Sequence, residues 1–205
     1  FDRDAARLFV SDLGTDEVVA YAWDGIAGKL ERRNDLCYKA RPGSGPRILA
    51  FHPRESFAYT VNELDSTVSV LSRDSESAPF REIQAIGTLP SSFAGRNTCA
   101  DLHLSPSGDF LYASNRGHDS IAAFKVAPRT GILERAGCFS SEGKTPRSFA
   151  IDPSGSFLLA ANQDTDNVVV FEVDRATGAL RATGQDIVVP TPVCVRVYDA
   201  MRELS

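Results

Sequence analysis

Arg47, Arg116, Arg147 and Lys144, with Glu63 and Gln163 among them, form a set of residue types that together could handle an anion. An arginine presents a planar fork of N–H donors that fits carboxylate or phosphate oxygens two at a time. A carboxylate beside two arginines stays ionised at neutral pH. It could then orient a water molecule as a base, or simply hold the arginines in place. The plainer reading is an Arg47–Glu63 ion pair that closes a structural unit. The histidines are weaker candidates. His118 lies two residues past Arg116, where a turn side chain is expected to face solvent. His52 and His103 are expected to pack between structural units. Asp16, Asp119 and Asp166 recur at one turn position, which suits turn capping by side-chain hydrogen bonds better than metal binding. The sequence contains no GxSxG, no phosphate-cradling glycine loop and no HExxH. No metal ion and no cofactor is expected.

These candidates gain meaning from an internal repeat. Four segments align: Phe1-Asp-Arg-Asp-Ala-Ala-Arg-Leu-Phe-Val-Ser-Asp12, Phe51-His-Pro-Arg-Glu-Ser-Phe-Ala-Tyr-Thr-Val-Asn62, Leu104-Ser-Pro-Ser-Gly-Asp-Phe-Leu-Tyr-Ala-Ser-Asn115 and Ile151-Asp-Pro-Ser-Gly-Ser-Phe-Leu-Leu-Ala-Ala-Asn162. Their starts lie 50, 53 and 47 residues apart. Each closes on Asp or Asn, and an apolar strand follows: Val18 to Trp23, Val68 to Leu71, Ile121 to Val126 and Val168 to Val173. The third unit reads as strands near 99–105, 110–115, 120–127 and 132–140. Pro106-Ser-Gly108 and Pro128-Arg-Thr-Gly131 mark two of its turns. No segment keeps a helical period over ten residues.

Four short antiparallel strands recurring about every 50 residues predict an all-β fold, a β-propeller of four-stranded blades. About four blades fit in this chain, as one partial domain over 1–205. The units run approximately 1–45, 46–98, 99–145 and 146–190. Residues 191–198 read as a lone first strand, the kind that closes a blade begun at the other terminus. The chain is therefore expected to be the C-terminal part of a larger ring; a closed four-bladed ring is the alternative.

In such a blade the start of strand one and the end of strand two reach the same mouth of the ring. The slot after the closing Asp or Asn holds Leu13, Glu63, Arg116 and Gln163 in turn. The slot at the start of strand one holds Arg47, Ala100, Arg147 and Val193. The mouth should carry Arg47, Glu63, Arg116, Arg147 and Gln163, with Lys144 close by. That is a basic cluster with one carboxylate inside it.

The bulk composition bounds the partners. The net charge of −5 argues against a general nucleic-acid surface. No apolar run approaches the roughly 18 residues that span a bilayer, so no membrane partner is expected. Cys37, Cys99, Cys138 and Cys194 lie far apart without a CxxC pair, which suits free thiols in a reducing, cytoplasmic setting. No signal or transit peptide is visible at Phe1, where a strand-like pattern is already under way.

Several motifs resemble one family. They are Gly45-Pro-Arg-Ile-Leu-Ala-Phe-His-Pro53, Tyr59-Thr-Val-Asn-Glu-Leu-Asp-Ser-Thr-Val68, Tyr112-Ala-Ser-Asn-Arg-Gly-His-Asp-Ser-Ile121, Lys144-Thr-Pro-Arg-Ser-Phe-Ala-Ile-Asp-Pro153 and Leu159-Ala-Ala-Asn-Gln-Asp-Thr-Asp-Asn-Val168. They are similar to the seven-bladed lactonase family, which includes bacterial-type 6-phosphogluconolactonase and fungal carboxymuconate cyclase. The resemblance implies a seven-bladed ring with its site at one mouth. By motif, the family's two arginines fall on Arg47 and Arg116 and its glutamate on Glu63. Its histidine belongs to a strand upstream of Phe1. Ile48 departs from the histidine often found after Pro-Arg. The implied activity is hydrolysis of a small anionic lactone, foremost a phosphorylated sugar lactone. Arg47 and Arg116 would be catalytic with Glu63; Arg147, Gln163 and Lys144, placed at the mouth by the repeat alignment and not by the family motif, would bind substrate. The rival readings are a muconate-type cycloisomerase and a degenerate, non-catalytic propeller serving as an interaction module or complex subunit. A second chain or further N-terminal blades would complete the ring.

Overall fold

The computed structural model describes residues 1–2, 6–54, 56–75 and 78–198. Their strands form four separate four-stranded antiparallel sheets. The first holds β1 (Arg7–Asp12), β2 (Glu17–Asp24), β3 (Lys29–Arg32) and β4 (Tyr38–Lys39). Here the outermost position is split: β3 and β4 both pair with β2, separated by a single 3-10 turn at Asn34–Leu36. The second holds β5 (Pro46–Phe51), β6 (Phe57–Asn62), β7 (Thr67–Ser72) and β8 (Arg81–Gly87). The third holds β9 (Thr98–Leu104), β10 (Phe110–Arg116), β11 (Ser120–Val126) and β12 (Leu133–Ser140). The fourth holds β13 (Pro146–Ile151), β14 (Phe157–Asn162), β15 (Asn167–Val173) and β16 (Leu180–Val188). The last three are simple meanders in chain order. Every strand of the third unit lies within a residue or so of its sequence-based expectation.

The packing follows from strand alternation, which sends successive side chains to opposite faces. In β10, Leu111 and Ala113 join a core with Tyr59, Val61, Val68 and Val70 of the second sheet. Phe110 and Tyr112 join another core with Phe149, Leu158 and Phe171 of the fourth. A sheet with covered faces on both sides must be apolar at consecutive positions, and Phe-Leu-Tyr-Ala is. The innermost strands β1, β5, β9 and β13 pack in succession, while the outermost are largely exposed. This is the arrangement of propeller blades around an axis.

Two repeated devices lock blade to blade. At the end away from the candidate site, the Tyr59 hydroxyl donates to the Gly131 carbonyl, and the Tyr112 hydroxyl to the Gly178 carbonyl, each at 3.1 Å. Both glycines sit at positive φ, 70° and 75°. A Cβ at either would strike the ring of Phe57 or Phe110. At the site end, Asp16, Asp119 and Asp166 share a φ near 55°. They accept the backbone N–H of Gly45, Thr145 and Thr191, the residues just before Pro46, Pro146 and Pro192. Asp119 also caps its own turn, accepting the Gly117 N–H at 3.2 Å, whereas Asp16 and Asp166 bond the linker that follows rather than the turn. Residues 191–198, read from the sequence as a closing strand, form no ladder with any strand of the described residues. Val195 N–H donates to Ser148 Oγ at 3.3 Å.

Replacing Tyr112 by Phe removes one buried hydrogen bond and leaves the Gly178 carbonyl unpartnered. The expected cost is about 1–3 kcal/mol, read as a lower urea midpoint with an unchanged m-value. Gly178→Ala should cost at least as much, because strain and the Phe110 clash act together.

Candidate functional site

The site end is built around irregular pairing. Pro46 pairs with Asn62 and Ile48 with Val61, so Arg47 is an extra residue in β5. Pro146 pairs with Asn162 and Ser148 with Ala161, so Arg147 is the extra residue in β13. Such bulges bend a strand and re-aim the side chain at the extra position. The third sheet is irregular at the same place: Ala100 and Asp101 lie opposite Ser114. Glu63 follows β6 directly, its N–H donating to the Gly45 carbonyl at 2.7 Å. Gln163 repeats this after β14, donating to the Thr145 carbonyl at 2.9 Å. Arg116 is the last residue of β10.

Three of the expected residues converge. Glu63 Oε2 accepts from Arg47 Nη1 at 2.6 Å, and Glu63 Oε1 from Arg116 Nη2 at 2.7 Å. Arg47 belongs to the same sheet as Glu63 and Arg116 to the next, so one carboxylate bridges two blades. Both arginines are also held by backbone carbonyls of β9. Arg47 Nε donates to Ala100 at 2.8 Å, and Arg116 Nη2 to Cys99 at 3.0 Å. The three side chains are only 14–27 % exposed. Burial pushes the Glu63 carboxyl up. The hydrogen bonds and charges of Arg116 and Arg47 outweigh it and hold the pKa below the ordinary carboxylate value. The plain reading of a pair that closes one blade is therefore too narrow: the pair is a three-membered bridge at the inner edge.

The other expected residues divide. Arg147 Nη1 donates to Gln163 Oε1 at 3.3 Å, a second pair one blade beyond Arg116. Lys144 is exposed on the linker, and among the described residues its ammonium pairs with no carboxylate. Leu13, in the slot of Glu63, instead lies against Gly45 together with Leu64.

His118 departs from expectation. It is half-buried, its Nδ1 lies 2.7 Å from Ser120 Oγ, and its ring meets Phe93 edge-on at 4.7 Å. The loop carrying Phe93 folds over the turn, which the local turn composition did not show. His103 stacks edge-on against Phe149 of the fourth sheet at 4.8 Å, as a residue packed between blades should.

Asp101 was not singled out from the sequence. It is buried and accepts from the N–H of Leu102 at 3.0 Å and of Phe149 at 3.1 Å, with His103 Nε2 at 3.2 Å. Burial raises its pKa, but the His103 contact and the two backbone donors outweigh that and lower it. It ties β9 to β13 directly behind the site. The available signal was a charge amid the apolar run Cys99–Leu104. Among the described residues no three His, Cys, Asp or Glu side chains come together as metal ligands.

Comparison with known proteins agrees with this architecture. Residues 1–197 match the family described as lactonase, 7-bladed beta-propeller. The chain belongs to that family. It is 39 % identical over 186 residues to the 6-phosphogluconolactonase of Bacillus subtilis, covering 90 % of this chain and 52 % of that one. A putative 6-phosphogluconolactonase from Bacteroides fragilis superposes with a TM-score of 0.87 at 36 % identity, over 96 % of this chain and 55 % of that one. The periplasmic gluconolactonase PpgL of Pseudomonas aeruginosa superposes at 0.86 and 36 % identity, over 93 % and 53 %. The chain spans about half the length of the curated relatives it matches.

The lowered Glu63 pKa has a signed consequence. The bridge stabilises the fold fully above the carboxyl's unfolded-state pKa, and that contribution is lost as pH falls through the lower folded-state value. Wild type should therefore exceed Glu63→Gln in stability at pH 7, and the gap should shrink below about pH 4. Chemical denaturation of both proteins at the two pH values checks this.

Proposed function

We propose that the complete protein hydrolyses a sugar lactone, foremost a phosphorylated one, at the mouth formed by Arg47, Glu63 and Arg116. The observation that carries the reading is Glu63 kept ionised between arginines of two adjacent blades, in a chain of the lactonase family. Relatives named 6-phosphogluconolactonase and gluconolactonase support it.

The chemistry divides naturally among these residues. In lactone hydrolysis a water oxygen bonds to the ring carbonyl carbon, and the carbonyl oxygen becomes an oxyanion. The bond to the ring oxygen then breaks, and that oxygen leaves with a proton as a hydroxyl. The product is an open-chain hydroxy acid. Guanidinium donors fixed in advance suit the oxyanion, because they need not reorganise as charge develops. Arg47 and Arg116 are fixed on one side by Glu63 and on the other by β9 carbonyls. Glu63 itself is a weak base, since both oxygens already accept an arginine. Each oxygen retains a lone pair, enough to accept a water hydrogen and aim that water at the carbonyl. Its role is orientation of water and arginines; the water's proton passes on to the departing ring oxygen or to solvent.

The reading concerns the whole ring. The outward face of the first sheet exposes Val10, Trp23 and Leu30, and that of the fourth exposes Phe157 and Ile187. Apolar faces of this kind suit further blades, which a seven-bladed family supplies.

In the full-length protein, 6-phosphoglucono-δ-lactone should be hydrolysed well above its spontaneous rate. Arg116→Ala and Glu63→Gln should each lower kcat/KM by about 10²–10³-fold. Unchanged rates in both would overturn the assignment. The Glu63 contribution should also appear as an acid limb of the kcat/KM profile below the ordinary carboxylate pKa, and that limb should vanish in Glu63→Gln.

A further inference from the structure

We propose that Arg147, oriented by Gln163, is the subsite that recognises the phosphate of the lactone. The proposal rests on the lactonase reading above and assigns its substrate selectivity to one residue.

The argument comes from comparing equivalent slots. Arg47 and Arg147 are both the bulge residue after a linker proline. The slot that faces each arginine holds Glu63 in the second blade and Gln163 in the fourth. A carboxylate neutralises its arginine; an amide oxygen orients it and leaves the charge. Among the described residues no carboxylate pairs with Arg147, whose partner is Gln163 Oε1 at 3.3 Å. Arg47 and Arg116 share the charge of Glu63, while Arg147 keeps its own charge and donors for a distal anion such as a phosphate monoester, which carries about −1.5 to −2 at pH 7.

The placement of Arg147 is constrained by the residue before its proline. Thr145 precedes Pro146 with φ 59°. A left-handed backbone is a genuine outlier for a β-branched residue. It is held by three bonds: its N–H to Asp119 Oδ1 at 2.9 Å, its carbonyl from Gln163 N–H at 2.9 Å, and its hydroxyl to Asp164 Oδ2 at 2.5 Å. Between Arg47 and Arg147 the corresponding slot of the third blade is Ala100, whose side chain is a methyl group. In blade order a small residue thus lies between two arginine slots, one arginine paired with Glu63 and one with Gln163. A lactone with its carbonyl at the bridge would direct a distal anion toward Arg147.

The test uses full-length wild type, Arg147→Gln and Arg147→Lys with 6-phosphoglucono-δ-lactone and unphosphorylated glucono-δ-lactone. In Arg147→Gln the ratio of the two kcat/KM values should fall about 10- to 100-fold against the phosphorylated substrate, mainly through KM. Arg147→Lys should recover part of it. Calorimetric titration with 6-phosphogluconate and with gluconate reads the same preference without turnover. Arg147→Gln should weaken the first by a similar factor and leave the ratio near one. An unchanged ratio in both measurements overturns the subsite. Loss of turnover on both lactones in wild type, with the binding preference intact and dependent on Arg147, would instead overturn the lactonase reading and leave the subsite standing.

Discussion

One carboxylate shared by two arginines sets the character of this molecule's inner edge. Glu63 lies at the end of β6, Arg47 on the bulge of the facing strand, and Arg116 on the neighbouring blade. An exposed ion pair contributes little to stability. This one is largely buried, and removing one member would leave uncompensated charge behind. The same arrangement decides the chemistry, because a carboxylate engaged on both oxygens is a poor base and a good positioning group.

The rest of the structure can be understood as what brings those three side chains to one place. Period-two strands fill a core on each side of every inner blade. Tyrosine-to-glycine bonds fasten successive blades at the far end, and aspartates at left-handed turn positions fasten the incoming linkers at the near end. Asp101 adds a buried tie from β9 to β13 behind the arginines. Stability is thus concentrated in repeated devices, while the variable slots between them remain open to different residues.

Much of this was legible in the sequence, and the reason is periodicity. The repeat located the strands and turns of the third unit closely, because Pro, Gly and Asp mark its corners and apolar residues its strands. It also placed Arg47, Glu63 and Arg116 in slots that share a mouth. The bulges at Arg47 and Arg147 were not legible, since register depends on pairing across strands rather than on local pattern. The cover of Phe93 over His118 is a contact between a loop and a turn that no repeat encodes. Nor could slot alignment show that Glu63 would engage both arginines while Gln163 engages Arg147 alone. That distinction needs distances, and it separates the bridge from the second cationic position.

A double-mutant cycle on lactone hydrolysis tests the shared-carboxylate account most directly. The kcat/KM of the full-length protein on 6-phosphoglucono-δ-lactone would be measured for wild type, Glu63→Gln, Arg116→Gln and the double variant. If Glu63 works by holding its arginines, the double variant should be little worse than the poorer single variant, so the coupling should approach the smaller single effect, about 2.7–4 kcal/mol. Single effects that simply add in free energy would show that the two residues act independently, and would contradict the account.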